Sequence, residues 1–264
     1  MGLSDTDWLD VCRRAARAAR EAVERVEGPA ERARETGRGE GGDTTLVVDR
    51  EAEDAVFAVL EALDEPLVAV SEERGEVALG GGGDVRVVID PVDGSLNAKR
   101  RLPSASVSIA VAAGGRMEDV AVGYVAELDR EREWWAVRGQ GAYCDGARLP
   151  ALEPGPLEVL GLETARARLL AAHAEAIAAT EARRVRALGS VATTLCLLAA
   201  GRLDAMVTLR PVRAVDLAAG QLLVTEAGGA VALPGGDGLD LEMRSLLLAA
   251  RDGALLARLE ALFA

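Results

Sequence analysis

The chain has 264 residues, of which 50% are hydrophobic and 28% are charged, and this composition is typical of a globular protein with a sizeable core. With 30 basic and 43 acidic residues, its formal net charge is −13, which argues against nucleic acid and anionic membranes as partners. Three scattered cysteines and one histidine argue against a disulfide framework, a zinc site and a Ser–His–Asp triad.

The start of the chain is interpreted as a helix. The letters MGLSDT match the pattern for N-terminal myristoylation, but Ser4 and Asp7 also form a helix N-terminus. The residues expected on one apolar helix face are Trp8, Val11, Cys12, Ala15, Ala19, Val23 and Val26. With no transmembrane-length run, no signal peptide and unpaired cysteines, we expect a cytoplasmic protein.

The first half of the chain is predicted to be rich in strands. After the helix, the polar stretch EGPAERARETGRGEGGD is expected to be a mobile loop, and TTLVVDREAEDAVFAVLEAL predicts a short strand turning into a helix. Five strand-like runs follow, with turns at Gly and Asp: PLVAVSEERGE, VRVVID, SVSIAVAAGG, VAVGYVAEL and EREWWAVRGQGAYCDG.

The second half alternates strands and helices. A single helix is expected for ARARLLAAHAEAIAATEARR, with His173 at its surface or half-buried, and further helices for SVATTLCLLAAG and VDLAAGQLLVTEAGG. Clustered strands followed by alternation indicate an α+β fold passing into α/β, with helices covering the sheets. We predict one domain over residues 1–264, made of interlocked halves 1–150 and 151–264.

Acidic residues stand where the predicted strands end. Carboxylates at strand ends converge on one sheet edge, and their crowding is costly unless a cation neutralises them. Hard oxygen ligands without His or Cys favour Mg²⁺, and two such ions can clamp a phosphoryl group and ionise the attacking water. These strand-end acids are Asp49, Glu72, Glu73, Asp90, Asp93 and Asp216, the last beginning a helix.

The stretch VVIDPVDGSLN carries further features suited to phosphate. Its proline fixes a turn that lets Asp90 and Asp93 face the same ions and exposes the carbonyl of Val92. The amides of Gly94 and Ser95 can cradle anionic oxygens, and the Ser95 hydroxyl can orient a water. A turn with a helix cap would explain Asp-Gly-Ser alone, but not the second Asp and the Glu pair upstream.

Four segments in order resemble the inositol monophosphatase family, which includes archaeal-type fructose-1,6-bisphosphatases. VVIDPVDGSLNAKRRLP resembles the family signature Asp-Pro-Ile/Leu-Asp-Gly-Thr/Ser-x-Asn, and VDLAAGQLLVTEAGGAV resembles its second signature. SEERGE is similar to the family's Glu-Glu segment and GDTTLVVD to its Asp-x-Val-Thr-x-x-Asp strand. The resemblance implies the alternating αβαβα layered sandwich of this superfamily, commonly dimeric, so we expect a homodimer acting on a small phosphorylated substrate.

The resemblance also implies metal ligands and catalytic residues. The first Mg²⁺ would be held by Glu72, Asp90 and the carbonyl of Val92, the second by Asp90, Asp93 and Asp216, and a weaker third by Glu72 with waters; Mn²⁺ is the expected substitute. Ser95, assisted by Asp49, would position and deprotonate the nucleophilic water. Glu72 completes the catalytic set, and no phosphoenzyme is expected.

The substrate stays open between inositol monophosphate, fructose-1,6-bisphosphate and a phosphonucleotide of the 3′-phosphoadenosine type. The chain departs from the family at Val215, where a Trp is usual, and at Leu209, where inositol-selective members tend to carry Glu. The basic cluster Lys99–Arg101 is either a solvated loop or a grip on a second phosphate, which Arg210 and Arg213 would join. The expected phosphate and substrate contacts are Gly94, Ser95, Lys99, Arg100, Arg101, Gly189, Ser190 and Arg210.

Two rival readings of the motif are a haloacid-dehalogenase-type phosphatase and a non-catalytic relative that binds a phosphorylated ligand. The former requires its second Asp two residues after the nucleophile, whereas Asp90 and Asp93 are separated by three. The latter is disfavoured because every expected metal ligand is present.

Overall fold

The computed structural model describes residues 3–40 and 44–263. Its α-helices are α1 (Asp5–Arg25), α2 (Pro29–Arg32), α3 (Val47–Glu61), α4 (Ser95–Arg100), α5 (Ala167–Ala172), α6 (Ala174–Ala179), α7 (Val191–Ala199), α8 (Ala214–Glu226) and α9 (Gly253–Phe263), with a 3₁₀ turn at Met117–Asp119. Met1 and Gly2 of the MGLSDT pattern, and Gly42 and Asp43 of GDTTLVVD, lie outside the described residues.

The described strands fall into two main sheets and a small hairpin. They are β1 (Glu35–Arg38), β2 (Thr44–Leu46), β3 (Leu67–Ser71), β4 (Gly75–Leu79), β5 (Arg86–Asp93), β6 (Ser106–Ala112), β7 (Val120–Glu127), β8 (Glu133–Val137), β9 (Gly141–Cys144), β10 (Ala147–Arg148), β11 (Val159–Glu163), β12 (Arg184–Arg186), β13 (Ala205–Thr208), β14 (Ala230–Ala232) and β15 (Leu248–Ala250). The large sheet has the order β10-β9-β8-β7-β6-β5-β3-β4, and the small sheet has the order β12-β11-β13-β15-β14.

The elements stack as five layers, which confirms the expected αβαβα sandwich. On one face of the large sheet, α1 and α3 bury their apolar stripes against odd-numbered β5 residues such as Val87 and Ile89. The other face, which includes Val88, packs against α7 and α8, and the same core reaches Met206 of the small sheet. Leu160 and Leu162 on the far face of the small sheet pack against α9. The side chains alternate between the faces because of the two-residue period of a strand.

The sequence pattern of each helix matches its layer. In α1, a capping box between Ser4 and Asp7 begins the helix, and every residue expected on its apolar face is buried. Helix α8 is apolar all round, because it lies between two sheets and almost every residue from Ala214 to Val224 is buried. Within residues 3–40 and 44–263, no helix combines the length and apolar character needed to cross a bilayer.

Three local expectations were wrong. The segment expected to be a mobile loop contains α2 and β1, since β1 pairs antiparallel with β2. The helix expected around His173 is two short helices, α5 and α6, with the half-buried His173 at their junction. Asp49 does not close a strand but lies in the first turn of α3, where its carboxylate accepts a hydrogen bond from the Leu46 amide at 2.8 Å.

Candidate active site

A cavity of about 410 Å³ opens where β3 and β5 end and where α4, α7 and α8 begin. Acidic side chains line it together with Arg166, Arg210 and Arg213. Strand ends and helix N-termini meet here because β3 and β5 run parallel, which is the usual position of a site in such folds.

A β-bulge brings Asp90 and Asp93 to the same face of β5. Asp90 lies opposite Ser108 and Asp93 lies opposite Ser106, so three steps along β5 match only two along β6. In a regular strand, residues three apart point to opposite faces. The extra residue at Pro91–Val92 turns the Asp90 and Asp93 side chains to the same face. The Asp90 carboxylate also accepts a hydrogen bond from the Val92 amide at 3.0 Å, which holds the bulge.

Three carboxylates from distant parts of the chain meet in this cavity. Glu72 follows β3, Asp90 lies on β5 and Asp216 lies in the first turn of α8. Each offers one oxygen, and these oxygens all lie within 4.8 Å of one another. A trio of hard oxygen donors at this spacing fits a divalent cation such as Mg²⁺.

Burial makes this group of like charges costly. Burial, together with the neighbouring Asp216, raises the pKa of Glu72 to about 7, although Arg213 acts to lower it. Burial also raises the pKa of Asp90 well above its ordinary value, and Glu72, Asp93 and Asp216 add to the rise. A bound cation would favour the ionised carboxylates and relieve this cost.

Arg213 lies among the same carboxylates. Its guanidinium donates to Glu72 Oε1 at 2.5 Å and lies 3.3 Å from Asp216 Oδ1. The backbone amide of Arg213 donates to Asp216 Oδ2 at 2.8 Å, which fixes the start of α8. The side chain therefore balances part of the negative charge and orients two of the three carboxylates.

Asp93 lines the cavity but is engaged differently. Its Oδ2 accepts hydrogen bonds from the Ser190 hydroxyl at 2.6 Å and from the Ala192 amide at 2.7 Å, so it binds the N-terminus of α7. Burial raises the pKa of Asp93 to about 7 despite these bonds. Its Oδ1 makes only a 3.3 Å contact with the Val191 amide and keeps lone pairs available for another partner.

Gly94 and Ser95 form the turn that links β5 to α4. Gly94 has φ +90°, and a Cβ atom there would meet the carbonyl oxygens of Ser104 at 2.9 Å and Gly189 at 3.0 Å. Only glycine fits this position. The Ser95 hydroxyl donates to the Val92 carbonyl at 3.0 Å, and both residues line the cavity.

Asp49 lies beside Ser95 in a buried position. Burial raises the pKa of Asp49 to about 7, while the Leu46 amide and the Ser95 side chain act to lower it. Its Oδ1 is buried and has no hydrogen-bond partner among the described residues. An unpaired buried carboxylate oxygen is costly and is available to a water or a cation.

The basic residues of the expected grip separate into two groups. Arg210 and Arg213 line the cavity. In the described chain, Lys99, Arg100 and Arg101 do not belong to its lining. Arg101 instead lines another cavity beside Glu24 and Asp129. Of the other expected contacts, Gly189 lines the cavity and Ser190 lies behind it, bonded to Asp93.

Sequence reasoning missed the residues that hold the loop 187–190 at the cavity wall. Glu163 is buried and accepts hydrogen bonds from the amides of Leu188 at 3.0 Å and Gly189 at 2.9 Å. Asn97 donates to the Leu188 carbonyl at 2.7 Å and to the Ser104 carbonyl at 2.9 Å. Asn97 belongs to the DGSLN motif, which could have indicated it. For Glu163, the only indication in the sequence is its position at the end of a predicted strand.

The neighbouring residues Glu72 and Glu73 have different surroundings. Glu72 faces the cavity, whereas the Glu73 carboxylate accepts a hydrogen bond from the Thr45 hydroxyl, and burial raises the pKa of Glu73 to about 7. Glu53 accepts from the Ser71 hydroxyl at 2.5 Å and from the Arg74 amide at 3.1 Å. These two acids tie α3 and β2 to the end of β3.

Comparisons with known proteins agree with this fold and site. Residues 5–263 match the family model of the inositol monophosphatase family. A fructose-1,6-bisphosphatase/inositol-1-monophosphatase of Methanothermobacter thermautotrophicus is 33% identical over 261 residues, which cover 92% of this chain and 91% of that protein. Nus factor SuhB of Escherichia coli K12 is 38% identical over 197 residues, 72% of this chain and 71% of that protein.

A solved inositol monophosphatase–fructose 1,6-bisphosphatase superposes with a TM-score of 0.83 at 25% identity, covering 97% of this chain and 99% of that one. The chain has a layered αβαβα fold with a carboxylate-lined cavity, and several of its relatives are named as phosphatases. The protein is therefore a phosphatase, a hydrolase of phosphate esters. The chain belongs to the inositol monophosphatase family.

Proposed function

We propose that this phosphatase hydrolyses the phosphate monoester of a small polyol or sugar with the help of Mg²⁺. The observation that carries the proposal is the meeting of Glu72, Asp90 and Asp216, whose oxygens lie within 4.8 Å of one another at the floor of the cavity. Such a group can hold a divalent cation beside a phosphate group in the same cavity.

The metal-binding residues would be these three carboxylates, with Asp93 Oδ1 and the Val92 carbonyl as further donors. All five residues line the cavity, and all offer oxygen donors, which suits Mg²⁺ and its substitute Mn²⁺. When bound, the cations would neutralise charge on the phosphate, lower the pKa of a bound water and stabilise the leaving alkoxide.

The remaining chemistry belongs to Ser95, Asp49 and the turn at Gly94. The Ser95 hydroxyl orients the attacking water and takes a proton from it, and, once turned from the Val92 carbonyl, it passes its own proton to the neighbouring Asp49 carboxylate. A carboxylate whose pKa is about 7 is well matched to this task near neutral pH. Water attacks phosphorus directly in this scheme, so no phosphoenzyme forms.

The arginines of the cavity support a substrate with a second anionic group. Arg166 and Arg210 are exposed at its rim, and neither has an ion-pair partner among the residues that the structure describes. Two unpaired arginines facing a carboxylate floor suit a sugar bisphosphate such as fructose-1,6-bisphosphate, with one phosphate at the carboxylates and the other at the rim. Inositol monophosphate and a 3′-phosphoadenosine-type nucleotide are the alternatives.

Phosphate release tests the proposal directly. Purified protein is assayed with and without Mg²⁺ on inositol-1-phosphate, fructose-1,6-bisphosphate and adenosine 3′,5′-bisphosphate, beside the Asp93→Asn variant. We expect Mg²⁺-dependent release, fastest with fructose-1,6-bisphosphate, and a loss of at least about 100-fold in the variant. Release that is independent of metal, or a variant with unchanged rate, would contradict the proposal.

An acid quench during turnover separates this mechanism from the haloacid-dehalogenase type. The quenched protein should carry no acyl-phosphate on Asp90, because the carboxylate binds metal and does not attack phosphorus. A phosphorylated Asp90 peptide would identify the rival chemistry. The homodimer stays a prediction, which size-exclusion chromatography with light scattering measures.

A further inference from the structure

A second cavity, of about 580 Å³, lies between α1 and the hairpin of β7 and β8. Its lining includes five arginines: Arg13, Arg14, Arg17, Arg20 and Arg132. Two acids, Glu131 and Glu133, line it with them. None of these residues lines the catalytic cavity. Such a basic recess is unexpected on a chain whose formal net charge is −13.

The four arginines that α1 contributes to this cavity stand on neighbouring turns of the helix. Arg13 and Arg17 are four residues apart, and Arg17 is three residues from both Arg14 and Arg20. Side chains at these spacings lie next to each other on the helix surface, and like charges there repel and destabilise the helix. Arg13 and Arg20 bond α1 to the large sheet, whereas the exposed Arg14 makes no such side-chain contact among the described residues.

The protein's own groups balance this charge only in part. Arg13 pairs with Asp10 and Glu133 at 3.3 Å, and Arg17 lies 3.5 Å from Glu21. Arg132 lies 3.8 Å from Glu127 and 3.5 Å from Asp145. Arg20 donates to the Glu127 carbonyl at 2.8 Å, but its Nε is buried and has no hydrogen-bond partner in the described chain. The Arg14 side chain has no ion pair or hydrogen bond within residues 3–40 and 44–263.

We propose that this arginine recess, lined by Arg13, Arg14, Arg17, Arg20 and Arg132, binds a ligand that carries several linked phosphate groups. The planar guanidinium recognises phosphate oxygens in pairs, and arginine is the residue type best suited to that contact. The recess is separate from the catalytic cavity, so this is a binding function in addition to the proposed hydrolysis.

The extent of the recess favours a chain of phosphates over a single ion. Arg13 and Arg20 are seven residues apart, which corresponds to roughly 10 Å along the helix axis. A single phosphate cannot contact arginines at both ends of that span, whereas several linked phosphates can. The shared chemistry is a condensed phosphate, either free or attached to a nucleoside.

Calorimetric titration of the whole protein with sodium tripolyphosphate tests this proposal. EDTA is present throughout, so that metal-dependent binding at the catalytic carboxylates is absent. The test variant is R14A/R17A, since both side chains are exposed, and circular dichroism checks its helix content. The matched control is R25A, an exposed arginine of the same helix that does not line the recess.

We expect saturable binding to wild type, R25A and D93N, and an affinity at least about tenfold weaker in R14A/R17A. Inorganic phosphate should bind more weakly than tripolyphosphate. A titration with adenosine triphosphate then distinguishes the two sources, since tighter binding than tripolyphosphate indicates a nucleoside polyphosphate and equal or weaker binding indicates the free chain. Absence of tripolyphosphate binding, equal binding by R14A/R17A, or its loss in D93N would overturn the proposal.

Discussion

Arg213 reaches across 141 residues of sequence to donate a hydrogen bond to Glu72 at 2.5 Å, in the same cavity where Glu72 meets Asp90 and Asp216. The neighbouring acids Asp216, Glu72 and Asp90 raise the pKa of Arg213 above its ordinary value, and they outweigh the lowering effect of its burial. The guanidinium is therefore a permanent cation beside the carboxylates that are proposed to hold Mg²⁺.

Replacing this cation should change metal affinity. In Arg213→Met the carboxylates lose a competing positive charge, so Mg²⁺ should bind several-fold more tightly, and the metal-free protein should become about 1–3 kcal/mol less stable. Calorimetry and urea unfolding measure the two effects, with Arg210→Met as the control because Arg210 lines the cavity without an ion pair in the described chain. Weaker Mg²⁺ binding in Arg213→Met would contradict this role.

The raised pKa values predict how stability depends on pH. The pKa values of Glu72 and Asp93 are raised to about 7, above those of the unfolded chain, so the folded state binds more protons between about pH 4 and 7. Their contribution is fully present below pH 4 and is lost as the pH rises through 7.

Urea unfolding of EDTA-treated protein should therefore show this part of the stability falling from pH 5 to pH 8. Added Mg²⁺ should restore it, and by more at pH 8 than at pH 5, because the ionised carboxylates bind the cation. A Mg²⁺ effect that grew towards acid pH would contradict the assignment.

The turn at Gly94 should not accept a side chain. Gly94→Ala combines a positive φ with a Cβ placed 2.9 Å from the Ser104 carbonyl oxygen, so we expect a loss of about 2–4 kcal/mol and of most phosphatase activity. Gly146→Ala is a matched control, since Gly146 has φ +79° but no atom within 4 Å of the position that a Cβ would take. Equal losses of stability in the two variants would show that backbone strain alone acts at Gly94.

The arginines at the cavity rim should govern choice of substrate. Arg166→Ala with Arg210→Ala should raise KM for fructose-1,6-bisphosphate about tenfold or more while changing KM for inositol-1-phosphate much less. Lys99→Ala with Arg100→Ala is the comparison, since these residues do not belong to the cavity lining of the described chain. If Lys99→Ala with Arg100→Ala instead raised KM selectively for fructose-1,6-bisphosphate, the second phosphate would be bound by the Lys99–Arg101 cluster.

Short motifs and periodic apolar patterns predicted sheets covered by helices and the acids of the cavity, whereas the five-layer order was expected from the family resemblance. Strand-end positions placed Glu72 and Asp90 together, because the parallel strands β3 and β5 share an edge of the sheet, and Asp216 joins them from the first turn of α8. The contact of Asn97 with Leu188 joins residues 91 apart through a loop without periodicity, so no sequence pattern indicated it. Residues 29–38 were misjudged because pairing of β1 with β2 overrides their polar composition.

The location of bound metal tests the central claim most directly. Crystals soaked with Mn²⁺ and phosphate, measured for anomalous scattering, should show a peak bounded by oxygens of Glu72, Asp90 and Asp216, with phosphate beside Gly94 and Ser95. A strong peak elsewhere in the molecule, with these three carboxylates free of metal, would contradict the account.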